Sequence, residues 1–177
     1  MIEAGVPVVP GSEGGISSIS EGKKVAKKIG YPVLVKAASG GGGRGMRVAE
    51  TEKDLENAIK SAKTEAKAAF GDDAVYLEKY LGKPRHIEIQ LIADTHGNVC
   101  HLWERDSSLQ RRHQKVFEEA PSPALNQAQR EDIGKIVATA VKKMGYRGAG
   151  TMEFLYEDGN FYFIEVNPRI QVEHTVT

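Results

Sequence analysis

Residues 164–173 read IEVNPRIQVE. From Glu165 onward every second position is polar and of a functional type: Glu165, Asn167, Arg169, Gln171 and Glu173. The positions between them, Val166, Pro168, Ile170 and Val172, are apolar or stiff. A period of two belongs to extended chain, whose side chains leave on alternate faces. The pattern therefore predicts an extended segment that directs one set into a lined cleft and packs the other beneath it. HIEIQLIAD (86–94) alternates in the same way, with His86, Glu88 and Gln90 opposite Ile87, Ile89 and Leu91.

Other stretches supply the rest of the fold. Ser20 is placed to cap a helix over Glu21–Ile29, ended by Gly30. YPVLVKA (31–37), MRVAE (46–50) and AVYLEKYL (74–81) read as strands, and Thr51–Phe70 as a long helix closed by Gly71. VCHLWER (99–105) is a further strand, followed by an irregular polar run, Asp106–Pro123. Asn126 with Gln129 forms a capping box for a helix reaching Met144 and stopped by Gly145. GTMEFLY, the turn EDGN and FYFIEVN close the chain's pattern as a hairpin. The order is that of an α+β protein, with a small glycine-loop unit and a larger antiparallel sheet.

Glu153 and Glu165 are acids inside otherwise apolar strands, where an uncompensated carboxylate is costly. A three-residue loop, Asp158–Asn160, pairs 153 with 165 on one face, whereas a two-residue turn pairs 153 with 164 and splits them. Facing carboxylates repel unless a cation lies between them, and near phosphates Mg²⁺ is the natural cation. Two acids on one wet face of a sheet are the plainer alternative.

KAASGGGGRGMRV (36–48) follows an apolar strand with four consecutive glycines. Backbone without Cβ atoms can approach phosphate oxygens and aim several N–H groups at them. Lys36 and Arg44 add positive charge. The lysine precedes the glycines, so this is not a Walker A loop, and the extended RVAE does not open the helix of a dinucleotide fingerprint. A surface hairpin tip with two chance cations is the competing reading.

Charge excludes some classes: 24 basic and 24 acidic residues cancel, which gives no general case for nucleic acid, even with the basic run QRRHQK at 110–115. No apolar run approaches the roughly 18 residues of a membrane span, and nothing resembles a signal peptide. Cys100 is the only cysteine and is read as a buried small residue in a reducing compartment.

KAASGGGGRGMRV, EKYLGKPRHIEIQ, ERDSSLQRRHQKVFEEAP, GYRGAGTMEFLYEDGNFYFIEVN and PRIQVEH, in this order, make the chain resemble the biotin carboxylase family over essentially its whole length. The resemblance implies an ATP-grasp fold. Residues 13–81 would form a lid subdomain and 82–177 a truncated antiparallel-sheet subdomain, with the family's N-terminal α/β and C-terminal domains lying outside 1–177. It also implies ATP held by Lys36, the Gly40, Gly41, Gly42 and Gly43 loop, Glu78, Lys79, Tyr80 and Leu81, with His86, Gln110, His113 and Leu155 near the nucleotide. Mg²⁺ or Mn²⁺ would sit on Glu153, Glu165 and Asn167. Lys115, Arg169, Gln171, Val172 and Glu173 would line the bicarbonate and biotin end. The implied reaction is carboxylation of biotin on a carrier protein or domain through carboxyphosphate. Glu173 would act as base, Arg169 would stabilise the biotin enolate and Lys115 would lie beside them. The implied partners are that carrier, a carboxyltransferase component and, at full length, a second copy of the chain. The implied compartment is the cytoplasm, or the mitochondrial matrix in a eukaryote.

Ser107 departs from a cysteine common in the family, a swap that leaves the chemistry alone. Pro168 and Thr175 lean towards the pyruvate carboxylase type, while EEAPSPALN leans towards acetyl-CoA or acyl-CoA carboxylases, so the final acceptor stays open. Another ATP-grasp ligase would lack the QRRHQK and RIQVEH blocks. A non-catalytic nucleotide-binding module would lose charge at 36, 153, 165, 169 or 173, and all five charges are present.

Overall fold

The computed structural model describes residues 1–39, 45–112 and 114–177. The predicted phosphate loop, Gly40–Gly43 with Arg44, and His113 lie outside the described residues. The chain divides into two compact units, Val9–Gly82 and Met1–Val8 with Lys83–Thr177.

The Val9–Gly82 unit is a three-stranded antiparallel sheet covered by two helices. Helix α1 (Ile19–Ile29) begins at Ser18, two residues before the expected Ser20, because the Ser18 side chain accepts the Glu21 N–H while Glu21 reaches back to Ser17. Strands β1 (Val33–Ala37) and β2 (Met46–Ala49), helix α2 (Glu52–Phe70) and β3 (Val75–Lys79) follow. The sheet order is β2-β1-β3. Alternation on β1 and β3 sends Val33, Val35, Val75 and Leu77 into a core with Ala26, Leu55, Ile59 and Ala62 of the helices. The same alternation leaves Lys36 and Glu78 on the other face.

The second unit is a five-stranded antiparallel sheet in the order β6-β5-β4-β7-β8. Its elements are β4 (Arg85–Ala93), β5 (Val99–Arg111), β6 (Gln114–Glu119), α3 (Gln127–Lys143), β7 (Gly148–Glu157) and β8 (Asn160–Asn167). The capping box of Asn126 and Gln129 is present at the start of α3. Ile133, Val137, Ala140 and Val141 of α3 pack on Ile87, Ile89, Leu91, Met152 and Phe154 of the sheet. Leu, Ile and Val burial of this kind contributes about 1.5–3 kcal/mol per side chain. The opposite sheet face is therefore free to carry polar groups, and it does.

Three expectations change. The run after Asp106 is not irregular: β5 continues to Arg111 and pairs with β6, with register shifts around residues 107–109 that break the period and hide the strand from a pattern search. Cys100 is exposed, because it lies on the solvent side of the β5 end. The extended stripe stops at Asn167, after which the chain bends and forms a 3₁₀ turn over Val172–Val176. Ile170 and Val172 are accordingly 53% and 82% exposed, not packed beneath the polar set. Among the described residues no helix is long and apolar enough to cross a membrane.

Candidate functional site

The polar face of the larger sheet is set by register. Glu88 of β4 pairs with Glu153 of β7 and with Arg105 of β5, and Glu153 pairs in turn with Glu165 of β8. Three acids and an arginine thus stand side by side across four strands. The loop of the β7–β8 hairpin is Asp158–Gly159, a two-residue turn with both φ values positive (51° and 83°), not the expected three-residue loop. A plain strand after that turn would place Ile164 opposite Glu153. Instead the register shifts between Phe154↔Phe163 and Glu153↔Glu165, leaving Ile164 as the extra residue of a β-bulge. Phe163 stays against the core, edge-on to Phe154, and Glu165 turns to the polar face.

Glu153 is the centre of the cluster. Its Oε1 accepts from Lys115 Nζ (3.0 Å), Asn167 Nδ2 (2.8 Å) and Gln171 Nε2 (3.1 Å), and its Oε2 lies 2.6 Å from His86 Nε2. Lys115 also contacts Glu88 and stands 3.9 Å from Glu173. Burial alone would push the Glu153 carboxyl up, but hydrogen bonds and charge from His86 and Lys115 outweigh it and bring it down to about 2. The reciprocal effect acts on His86: burial disfavours the imidazolium, yet Glu153 and Glu88 push its pKa up to about 9. Lys115 is raised in the same way, with burial opposing and the two glutamates prevailing. The cluster is therefore a network of charges at neutral pH.

His86, Glu88 and Glu153 each offer a ligand atom within 4.8 Å of the others. Within this trio the His86 Nε2 already lies 2.6 Å from Glu153 Oε2. Oxygen donors that suit a hard divalent ion include Glu88 and Glu153, with Glu165 held opposite Glu153 by register and Asn167 beside Glu153. Oxygen-only donors and an already ionised Glu153 fit magnesium or manganese.

The remaining predicted residues fall as follows. Leu155 is in register with His86, on the Glu153 face. The Gln110 amide lies 3.2 Å from His86 Nδ1 and its Nε2 donates to the Ser107 carbonyl at 2.9 Å. Gln171 is buried. Arg169 is exposed, donating to the Ile170 carbonyl at 3.2 Å, and Val172 is exposed. In the smaller unit Lys36 Nζ is 3.0 Å from Glu78 and 5.3 Å from the centre of the Tyr76 ring. Lys79 turns away to donate to the Gly30 and Tyr31 carbonyls at 3.1 and 3.0 Å. The Tyr80 N–H reaches the Pro32 carbonyl at 3.2 Å, and Leu81 lies just past the strand. Two hollows of about 560 and 490 Å³ open beside Leu102 and Trp103, and neither is lined by His86, Glu88, Lys115 or Glu153.

Sequence reasoning missed Glu88 and Arg105 as members of the site. Glu88 was legible, since it breaks an apolar strand as Glu153 does. Arg105 was not, because VCHLWER carries no clean period: the register shifts on β5, where Trp103 adopts a left-handed φ of 68°.

The chain resembles known proteins along its length. It is 62% identical to a biotin carboxylase of Haemophilus influenzae over an aligned length of 178 residues, which covers 100% of this chain and 40% of that protein. Among solved structures it matches a biotin carboxylase–beta-gamma-ATP complex from Campylobacter jejuni with a TM-score of 0.82 and 56% identity, over 99% of this chain and 40% of that one. It also matches the biotin carboxylase domain dimer of Hydrogenobacter thermophilus 2-oxoglutarate carboxylase, in complex with MgADP, ADP and bicarbonate, with a TM-score of 0.81 and 53% identity over 98% and 39%. The chain thus spans about 40% of the length of these relatives. Its two units carry the ATP-grasp fold, and the sequence model of the carbamoyl-phosphate synthase L chain, ATP binding domain, matches residues 1–177. The chain belongs to that family of ATP-binding domains.

Proposed function

We propose that a protein carrying this chain carboxylates biotin, using ATP and bicarbonate, as the first half-reaction of a biotin-dependent carboxylase. The observation that carries this reading is the register of Glu153 with Glu165 on the polar face, with Asn167, Lys115 and His86 gathered on Glu153.

Glu153 and Glu165, with Asn167, would hold magnesium or manganese, which when bound supplies charge neutralisation at the nucleotide phosphates. Lys36 and the 40–43 loop bind and orient those phosphates, and Glu78 restrains Lys36 when they are absent. The Glu78–Leu81 segment serves the adenine partly through backbone groups, with Leu155, His86, Gln110 and His113 near the nucleotide.

Glu173 takes the proton from bicarbonate, whose oxygen attacks the γ-phosphorus as ADP leaves. Bicarbonate is a weak acid, so its orientation by Lys115, Gln171 and Val172 carries much of the rate. The resulting carboxyphosphate breaks to carbon dioxide and phosphate, the phosphate takes the N–H proton of the biotin ureido group, and that nitrogen attacks the carbon dioxide. Arg169, permanently charged, stabilises the ureido enolate. The partners are a biotin carrier, a carboxyltransferase component and a second copy of the chain, in the cytoplasm or the mitochondrial matrix.

The test is phosphate release in a protein of the relatives' length, with bicarbonate and biotin each omitted in turn. Release that needs both is expected. Release indifferent to bicarbonate overturns the reading. Glu173→Gln is expected to keep nucleotide binding and lose the bicarbonate-dependent component, and turnover equal to the parent's removes Glu173 as the base.

A further inference from the structure

We propose that Arg105 is the positioning residue for Glu173: one buried guanidinium that fixes both ends of the turn carrying it. The inference rests on the reading of Glu173 as the base.

Among the described residues the turn Val172–Val176 buries no apolar side chain, and no side chain caps its start. At its ends the His174 N–H reaches the Gln171 carbonyl at 3.2 Å and the Thr177 N–H the His174 carbonyl at 3.1 Å, and the Thr175 hydroxyl donates to the Val172 carbonyl at 3.1 Å. A five-residue turn without apolar burial is easily deformed, since short 3₁₀ segments have poor hydrogen-bond geometry of their own.

Arg105 reaches both flanks. Its Nη2 donates to Gln171 Oε1 at 3.3 Å, just before the turn, and its Nη1 donates to Thr177 Oγ1 at 2.7 Å, just after it. Arg105 is itself completely buried. From behind, it donates to Glu88 (3.1 Å), Gln90 (2.8 Å) and Thr151 (3.3 Å), residues of the central strands β4 and β7. The guanidinium therefore transmits the position of the rigid sheet to a turn the sheet does not cover. Only a planar fork with several fixed donors spans such partners, and a lysine ammonium does not.

The Gln171 amide adds orientation. Its oxygen accepts from Arg105 and its Nε2 donates to Glu153, so the arginine fixes which end of the amide faces the carboxylate. With both flanks fixed, Glu173 is held 3.9 Å from Lys115. Loss of the clamp frees the turn while leaving Lys115 on Glu88 and Glu153.

The experiment uses Arg105→Lys and Thr177→Val in a protein of the relatives' length. Thr177→Val removes one acceptor and leaves Arg105 paired with Glu88, so it reports on the clamp even where Arg105→Lys folds poorly. Arg105→Lys is expected to lower kcat/KM for bicarbonate by about tenfold or more, the scale of a small displacement of an oriented group, with KM for ATP within about twofold. Thr177→Val is expected to act in the same direction and more weakly. Amide hydrogen exchange across 171–177 is expected to quicken in both. Parent-like exchange in that segment, or KM values for ATP and bicarbonate that rise together, overturns the inference. A parent lacking bicarbonate-dependent turnover undoes the functional reading instead, and the exchange measurement then decides the clamp.

Discussion

Glu153 and Glu165 face each other across β7 and β8 because Ile164 is inserted between Phe163 and Glu165. The bulge keeps Phe163 in the core and turns the next acid to the polar side. Glu165→Gln should change folding stability by no more than about 1 kcal/mol in metal-free protein, the range of exposed cross-strand pairs. The same substitution should weaken Mn²⁺ binding by about tenfold or more, since one hard anionic donor is lost. Thermal unfolding and Mn²⁺ titration by electron paramagnetic resonance check both halves.

The charge network gives the fold a pH signature with two limbs. The folded His86 pKa of about 9 lies above its ordinary 6.5, so its contribution is complete below 6.5 and is lost as pH rises through 9. The folded Glu153 pKa of about 2 lies below its ordinary 4.5, so its contribution is complete above 4.5 and is lost as pH falls through 2. Between pH 6.5 and 9.5 the parent should lose on the order of 2–3 kcal/mol relative to His86→Gln. Urea unfolding of the two proteins at both pH values measures the difference.

A second buried pair sits on the core side of β5. Glu104 is fully buried and receives Arg130 Nε at 2.7 and 2.8 Å, and the Ser122 N–H at 3.0 Å. Arg130→Met strands that carboxylate and should cost about 3–5 kcal/mol. Adding Glu104→Gln should restore more than half of the loss, and a double-mutant cycle by denaturant unfolding gives the coupling.

Ser107 is completely buried, and among the described residues its hydroxyl has no hydrogen-bond partner. A buried polar group left unpaired costs about 1–3 kcal/mol. Ser107→Cys, which exchanges the hydroxyl for a weakly polar thiol of similar shape, should raise the melting temperature, and turnover should be unchanged. Calorimetry and the phosphate-release assay read the two outcomes.

What could be read from the sequence depended on whether a pattern was local. The alternation of HIEIQLIAD put Glu88 and its neighbours on a polar face, and the Asn126–Gln129 box placed the start of α3. Glu153 was found opposite Glu165 for a reason the sequence did not contain. The turn is one residue shorter than expected, and a bulge restores the register. The stripe beyond Asn167 failed differently. Pro168 and the bend after it end the strand, so Gln171 becomes buried by turning towards Arg105 rather than by alternating. The Arg105 contacts join residues up to 72 positions apart, and no periodicity reports pairings of that span.

The Asp158–Gly159 turn and the Ile164 bulge are two halves of one length. A hairpin with three loop residues and an uninterrupted β8 would bring the same two acids together. The spare residue can thus sit at the tip or within β8, and removing Ile164 alone would straighten the strand and still leave Glu165 opposite Glu153. What the bulge contributes is the local bend and added twist of β8 beside the two acids, which a straightened strand would lose.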